Sequence, residues 1–136
     1  MQETRRQRLQ SAIQEELAQF VPREVKDPRI PPVTFTDVQV TQDGSHATVF
    51  VSILGGNLGP EGTEADEKLA RKRMTECLEG LNAAQGFIRR HLARVLSIRH
   101  TPTLAFREDR GFENASRVHE LLNQLKSEGN SSGSEH

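Results

Sequence analysis

Two stretches in which apolar residues alternate with other residues are joined by a short turn, and they limit the possible folds of this chain more than any other feature of its sequence. In His46–Leu54 apolar residues alternate with the others, so the predicted strand has one apolar face. Val33–Thr41 alternates in the same way, but its phase changes near Thr36–Asp37, which predicts a β-bulge. Gln42–Ser45 contains an Asp-Gly pair and is typical of a hairpin turn. We therefore expect an antiparallel hairpin whose apolar face is covered by other elements.

Helical periodicity supplies elements that can cover this face. Apolar residues recur at helical spacing over 4–21, 63–81 and 87–98. Pro22 is expected to end the first helix, because a proline restricts the residue before it. No loop separates the second and third helices, and small residues surround Gly86. This composition predicts a kink at which two helices cross closely.

The remaining segments complete a single domain. Thr103–Arg107 predicts a short third strand, and Asn114–Lys126 predicts a final helix. Ser127–His136 is rich in Ser, Gly, Asn and Glu, which predicts a disordered tail. The order α-β-β-α-α-β-α predicts an α+β domain over residues 1–126, with helices packed on one face of a three-stranded sheet.

Several classes of protein are disfavoured by the composition. A single cysteine, Cys77, excludes an internal disulfide framework and fits a reducing compartment. No apolar stretch is long enough for a signal peptide or a membrane span, so we expect a soluble cytoplasmic protein without membrane contact. The five histidines lack metal-ligand spacing, and no nucleophile or nucleotide motif is present. We therefore expect no metal, no cofactor and no enzymatic activity.

Charge is distributed unevenly along the chain, although the net charge is only −1. Residues 33–67 contain six acids and no Lys or Arg, whereas residues 68–110 contain ten bases and four acids. Within the second segment, residues 83–103 hold four arginines and no acid at all. This polarisation favours a polyanionic partner on one face of the protein.

The basic residues divide into two groups by their neighbours. In the second helix Lys68, Arg71 and Lys72 each have an acid four residues away, so we expect ion pairs that solvate this helix. Arg89, Arg90 and Arg94 have no acid within a helical turn and are candidates for nucleic-acid contact; together with Arg99 they form the acid-free group. The alternative for this group is a solvated face with cations near a helix C-terminus.

Two further features allow two interpretations each. Phe87 borders the face of Arg90 and Arg94, where it either stacks on a base or packs across the helix kink. Lys26 and Arg29 flank Asp27-Pro28, so this segment is either a loop that faces RNA or an ordinary turn.

Four motifs in sequence order carry a resemblance to a known family. They are Glu24-Val-Lys-Asp-Pro-Arg-Ile30, Val33-x-Phe-Thr-Asp-Val38 with Ala47-x-Val-x-Val-Ser52, Leu81-Asn-Ala-Ala-Gln-Gly-Phe-Ile-Arg89, and Ile98-Arg-x-x-Pro-x-Leu-x-Phe106. In this order they resemble a type II KH RNA-binding domain, and more specifically the ribosome-binding factor A family. The resemblance implies that Ala84 and Gly86 form an Ala-x-Gly helix kink in place of the Gly-x-x-Gly loop of other KH domains. Residues 109–118 depart from the family pattern, because a Ser and a second Gly are missing.

The resemblance implies a non-catalytic assembly factor of the small ribosomal subunit. Such a protein binds the free 30S subunit and 16S rRNA, promotes late maturation and processing of the 16S rRNA 5′ end, supports growth in the cold, and acts as a monomer. The RNA-binding residues would be the basic side chains of the third helix and the two connectors, namely Arg89, Arg90, Arg94, Arg99, Lys26 and Arg29. A general KH-like module that binds another RNA or a protein is the alternative.

Overall fold

The two alternating stretches form the predicted hairpin in a computed structural model, which describes residues 2–54 and 64–109. Strand β1 (Val33–Val40) pairs antiparallel with β2 (His46–Ile53). The register shifts between Phe35 and Asp37, which confirms the predicted bulge. The sequence therefore places the hairpin and its irregularity to within one residue.

The turn between β1 and β2 is organised by the Asp43 carboxylate. Its Oδ1 atom accepts hydrogen bonds from the Ser45 backbone N–H (3.0 Å), the Ser45 hydroxyl (2.8 Å) and the Thr41 hydroxyl (2.8 Å). These donors lower the pKa of Asp43 from 3.8 to about 2, with the Ser45 backbone N–H the largest cause. Gly44 lies at φ 76°, a left-handed conformation that glycine adopts without strain.

A third strand, β3 (Thr103–Glu108), completes the sheet in the order β1-β2-β3. It pairs parallel to β2, from His46 opposite Thr103 to Val51 opposite Glu108. A parallel pair requires a long crossover connection, and here the crossover carries two helices. These are α2 (Glu64–Ala83) and α3 (Gln85–Leu96).

One face of the sheet is covered by these two helices and by α1 (Glu3–Glu24). The alternating positions of the strands point toward the helices, so that Val38, Val49 and Leu104 are at most 2 % exposed. The helices supply Leu17 and Leu81, which are completely buried. The observed architecture is thus the predicted α+β domain with a three-stranded sheet.

The outer edge of β1 is covered by polar side chains of α1 at helical spacing. Val40 donates its backbone N–H to Gln10 Oε1 (2.9 Å) and accepts a hydrogen bond from Arg6 Nη1 at its carbonyl (2.9 Å). One turn further along the helix, Gln14 Nε2 donates to the Phe35 carbonyl (2.7 Å). Side chains of α1 therefore satisfy backbone groups that a further strand would otherwise pair with.

The predicted end of the first helix is wrong. The helix continues through Pro22 to Glu24 instead of ending at Val21. A proline removes one backbone hydrogen bond, but Val21 is only 2 % exposed and Val25 packs against the core. The Val25 N–H also donates to the Val21 carbonyl (3.0 Å), which closes the last turn. Tertiary packing on both sides of Pro22 thus outweighs its local preference.

The junction between α2 and α3 is a single residue. Ala84 lies between the two helices at φ −88° and ψ 5°, and its N–H is shared between the carbonyls of Gly80 and Leu81, both at 3.1 Å. The third helix therefore begins at Gln85, two residues before its predicted start. Gln85 Oε1 accepts a hydrogen bond from the Leu104 N–H (2.8 Å), which fixes the junction to β3.

The expectation of a close helix crossing at Gly86 is wrong. Among the described residues, a Cβ added at Gly86 would meet Arg90 Nη1 alone, at 3.8 Å, so no close neighbour there excludes a side chain. The close approach occurs six residues earlier, at Gly80, where an added Cβ would lie 2.8 Å from Ile30 Cγ1. The neighbour that excludes a side chain is thus the connector between α1 and β1, not another helix.

The C-terminal predictions lie outside the described residues. They concern the helix Asn114–Lys126, the tail Ser127–His136, most of the irregular turn at 109–118, and the end of the domain at residue 126.

Candidate nucleic-acid interface

The third helix presents two arginines on the side opposite its buried residues. Ile88 and Leu92 are completely buried beneath α3, whereas Arg90 and Arg94 are exposed. Arg94 lies in the last turn, where a cation interacts favourably with the helix dipole. Ser97 ends the helix in a left-handed conformation at φ 51°.

Arg89 has a different environment from Arg90 and Arg94. Its Nε donates to the Pro102 carbonyl (3.0 Å) and its Nη2 donates to the Thr101 carbonyl (2.9 Å). These bonds tie α3 to the segment that enters β3. The Arg89 guanidinium thus stabilises the fold next to the exposed arginines. Two of its five N–H groups already donate to backbone carbonyls.

A third arginine reaches the same surface from the first helix. Arg23, in the last turn of α1, lines a shallow depression together with Arg90 and Arg94. We name it the aromatic depression; it measures about 410 Å³, and its lining residues are Phe20, Arg23, Glu24, Phe87, Arg90, His91 and Arg94. The sequence prediction missed Arg23 because it ended the first helix before this residue. No local pattern reveals that the last turns of α1 lie beside α3.

Three rings form the apolar part of the aromatic depression. Phe20 stacks on His91 with ring centroids 3.9 Å apart and an interplanar angle of 14°. Phe87 packs on Phe20 at 5.2 Å with a tilt of 41°. Phe87 therefore packs between α3 and α1, a contact that neither of the two interpretations of the sequence contains. Its side chain nevertheless stays 43 % exposed.

A half-buried contact between His91 and Glu16 also joins α1 to α3. His91 Nε2 lies 3.0 Å from Glu16 Oε1. The other ring nitrogen, Nδ1, is buried and has no hydrogen-bond partner among residues 2–54 and 64–109. This contact and the stacking on Phe20 fix the orientation of the imidazole, so His91 serves as a packing residue of the depression.

The connector Lys26–Ile30 contains two of the candidate RNA-binding residues, Lys26 and Arg29, and their environments differ. Arg29 Nη2 forms a 2.7 Å salt bridge with Asp27 Oδ2, and its backbone N–H donates to Asp27 Oδ1 (2.9 Å). The Arg29 side chain lowers the pKa of Asp27 to about 2, and the Asp27 carboxylate in turn raises the pKa of Arg29. Glu76 and Glu79 of α2 add negative charge near Arg29. The charge of Arg29 is therefore balanced within the protein.

Lys26 and Arg99 are less constrained. Both side chains are exposed, and neither forms a hydrogen bond or ion pair with another residue in the described part of the chain. Lys26 follows α1, and Arg99 lies in the connection between α3 and β3. Both cations are therefore available to a polyanion.

The ion pairs expected within α2 do not form. Lys68, Arg71 and Lys72 are exposed, and no acid four residues away lies within 4.0 Å of any of them. The physical reason is that water solvates both partners of an exposed pair, so little is gained by fixing two long side chains. The bases of α2 are thus not neutralised by neighbouring acids. They differ from Arg90 and Arg94 of α3 in their location on the protein.

Other kinds of site find little support in the described ranges, residues 2–54 and 64–109. No three His, Cys, Asp or Glu side chains there are grouped so that they could hold a metal ion. None of the helices there has the length and apolar character needed to cross a membrane. Cys77 is completely buried, and burial raises the pKa of its thiol to about 11.

Comparisons with known proteins agree over most of the chain. The sequence model of the family described as ribosome-binding factor A matches residues 5–122. The ribosome-binding factor A of Halothermothrix orenii is 39 % identical over 128 residues, which cover 94 % of this chain and 93 % of the relative. The protein of the same name from Thermomicrobium roseum is 40 % identical over 124 residues, with 91 % and 85 % covered.

Solved structures match the fold. A solution NMR structure of a Thermotoga maritima protein, assigned as a ribosome-binding factor A, gives a TM-score of 0.58 at 33 % identity, covering 82 % of this chain and 92 % of that one. The crystal structure of ribosome-binding factor A from Thermus thermophilus gives the same TM-score at 23 % identity, covering 76 % and 93 %. The lower identity of the second supports the fold alone. From the match over residues 5–122 and these relatives, the chain belongs to the ribosome-binding factor A family.

Proposed function

We propose that this protein is a non-catalytic assembly factor that binds the free 30S ribosomal subunit through 16S rRNA. The relatives are named for binding the ribosome, which supplies the class of partner. The observation that carries the proposal is the cluster of Arg90 and Arg94 on α3 with Arg23 on α1, where the two α3 arginines belong to the chain's acid-free segment. Folded rRNA is a dense polyanion, and such a cluster is suited to neutralise its phosphates.

The arginines have distinct roles in this proposal. Arg90, Arg94 and Arg23 contact phosphates directly, and Arg99 and Lys26 extend the contact, because all of these side chains are exposed. Arg89 acts as a positioning residue, since it holds α3 against the segment that precedes β3. Arg29 is assigned to the fold of its own connector, because Asp27 balances its charge.

Selectivity for the 30S subunit would come from the shape of folded rRNA. Structured RNA is recognised largely through its backbone and its unpaired segments. Phosphate contacts supply affinity and register, but they carry no sequence information by themselves. The proposed outcome of binding is late maturation of the subunit, including processing of the 16S rRNA 5′ end, with the strongest requirement during growth in the cold.

A salt titration of 30S binding tests the arginine assignment. The double variant Arg90→Ala/Arg94→Ala should lower the slope of log affinity against log salt by about 2, since each phosphate contact contributes about 1. The variant Lys68→Ala/Lys72→Ala is a matched control, because it removes the same charge from exposed positions on α2. The control should change the slope less. Equal slopes for the wild type and the arginine variant contradict the assignment.

Sedimentation of a cell lysate tests the partner itself. Co-migration with free 30S subunits, and not with 70S ribosomes, is the expected result. Absence from all ribosomal fractions supports the alternative, a KH-like module with a different target. In cells that lack the protein, 16S rRNA with an unprocessed 5′ end should accumulate at low temperature. The wild type should restore processing, and Arg90→Ala/Arg94→Ala should not.

A further inference from the structure

The aromatic depression combines a fixed, partly exposed aromatic ring with a group of arginines. A phenylalanine ring that is 43 % exposed, Phe87, is held in place by Phe20, and Phe20 is in turn stacked on His91. Because Phe20 itself is only 4 % exposed, the Phe87 ring rests on a buried support. It is a fixed apolar platform at the surface.

Cations surround this platform. Arg23, Arg90 and Arg94 line the same depression, and Glu24 is the one acid among its lining residues. Guanidinium groups brought together from two helices repel one another unless an anion lies between them. No carboxylate forms a salt bridge with any of the three, as far as the described ranges extend. Within the described residues, the charge of these arginines is therefore not balanced by a carboxylate of the protein itself.

We infer that the aromatic depression binds one unpaired nucleotide of an RNA strand, with its base stacked on Phe87 and its flanking phosphates on Arg90, Arg94 and Arg23. Aromatic side chains beside cations are the general composition of sites for single-stranded nucleic acid. The inference rests on the proposed function, because it takes RNA as the partner. It adds a preference for unpaired RNA, which the arginines alone do not specify. Phosphate contacts accept duplex and single strand alike, whereas a stacking platform requires a base that has left its helix.

The volume of the depression agrees with a single nucleotide. At about 410 Å³ it can take one base and its sugar. A base stacked on Phe87 would cover the exposed part of the ring while Phe20 keeps the other side packed. The site would thus select unpaired rRNA segments, with little preference among the bases.

The absence of Trp and Tyr from the chain allows a direct optical test. The variant Phe87→Trp introduces a single indole on the platform. Titration with a short single-stranded RNA of mixed sequence should quench its fluorescence, because a base stacks on the indole. The same RNA annealed to its complement should bind through its phosphates without quenching. Quenching of equal size by duplex and single strand overturns the inference.

A pair of variants measures the contribution of the Phe87 ring to affinity. Phe87→Leu keeps an apolar side chain but removes the stacking surface, and it should weaken single-strand binding about 5- to 150-fold. Binding of the duplex and the salt slope should not change. Val95→Ala is the matched control, since Val95 lies on the same helix with the same exposed fraction, 43 %, and outside the depression. Thermal unfolding of both variants shows whether a loss of affinity is a loss of folding.

An RNA with abasic sites separates the base from the phosphates. It keeps every negative charge, so the wild type should bind it about as weakly as Phe87→Leu binds the intact strand. If the wild type binds abasic and intact strands equally well, no base is recognised and the inference is wrong, while a salt slope that depends on Arg90 and Arg94 still supports the proposed function. If Phe87→Leu weakens binding and Arg90→Ala/Arg94→Ala leaves the slope unchanged, base stacking on Phe87 is supported, but the placement of the phosphates on Arg90 and Arg94 is wrong, both in this inference and in the proposed function.

Discussion

Alanine substitution of two glycines, only six residues apart, should have opposite effects on stability. Both Gly80 and Gly86 lie within helices, and neither has a positive φ. In a helix, alanine is more favourable than glycine by about 1 kcal/mol, so propensity alone predicts that both substitutions stabilise the protein. The surroundings of the two Cα atoms decide whether this gain is realised.

The surroundings of Gly80 exclude a methyl group. An added Cβ would lie 2.8 Å from Ile30 Cγ1 and 3.3 Å from Asp27 Oδ2. Ile30 is packed against the core, and Asp27 is held by its salt bridge to Arg29, so neither neighbour can move easily. Overpacking of this kind costs about 1–3 kcal/mol. After the propensity gain, Gly80→Ala should lower the free energy of unfolding by up to about 2 kcal/mol.

Gly86→Ala should instead raise the free energy of unfolding. Among the described residues, its Cβ would have Arg90 Nη1 at 3.8 Å as its one neighbour within 4 Å, and this atom is the far end of a flexible side chain. The gain should reach at most about 1 kcal/mol, because Gly86 lies in the first turn of α3, where fewer backbone bonds are at stake. For a chain of this size, 1 kcal/mol corresponds to a shift of about 3–5 °C in Tm.

Urea unfolding followed by far-UV circular dichroism measures both effects. A double-mutant cycle with Ile30→Ala identifies the cause, because this substitution removes the Cγ1 atom that the new methyl group would meet. In the Ile30→Ala background Gly80→Ala should become neutral or stabilising, which gives a coupling energy of about 1–3 kcal/mol. Stabilisation of the otherwise unaltered protein by Gly80→Ala, to the extent seen for Gly86→Ala, would refute the reasoning.

Two further outcomes follow from perturbed pKa values. Cys77 is completely buried and its pKa is raised to about 11, so a thiol reagent at neutral pH should modify it only when the protein unfolds. Modification of the native protein at the rate of a free thiol contradicts this expectation. Asp43 has a native pKa of about 2, below its ordinary value of 3.8, so its stabilising contribution is complete above 3.8 and is lost as the pH falls through about 2. The difference in unfolding free energy between the wild type and Asp43→Ala should therefore shrink over this pH range, whereas a difference that does not depend on pH would assign the effect to turn geometry alone.

The parts of the fold that depend on local pattern are predictable from the sequence. An alternation of period two places β1 and β2, and the change of phase at the bulge is visible because one extra residue moves every later side chain to the other face. Helix existence follows in the same way from the spacing of apolar residues. The length of α1 does not, because packing of Val21 against the core outweighs the local effect of Pro22.

The candidate site is predictable only in part, for a related reason. The acid-free segment identifies Arg90 and Arg94, but Arg23 joins them through the contact between α1 and α3, which no sequence pattern reports. The glycine that excludes a side chain is likewise not evident from local composition. Small residues near the kink favour Gly86, whereas the neighbour that matters at Gly80 is Ile30, fifty residues earlier in the sequence.

The amide side chains along the sheet limit how this protein can associate with other molecules. A three-stranded sheet has two edges, and an uncovered edge invites a strand from a second chain. On β1, Val40 and Phe35 are already bonded to Gln10 and Gln14, and on β3 the Leu104 N–H is bonded to Gln85. An incoming strand would have to displace these bonds before it gained its own. At these positions the sheet edges therefore resist pairing with a strand from a second chain.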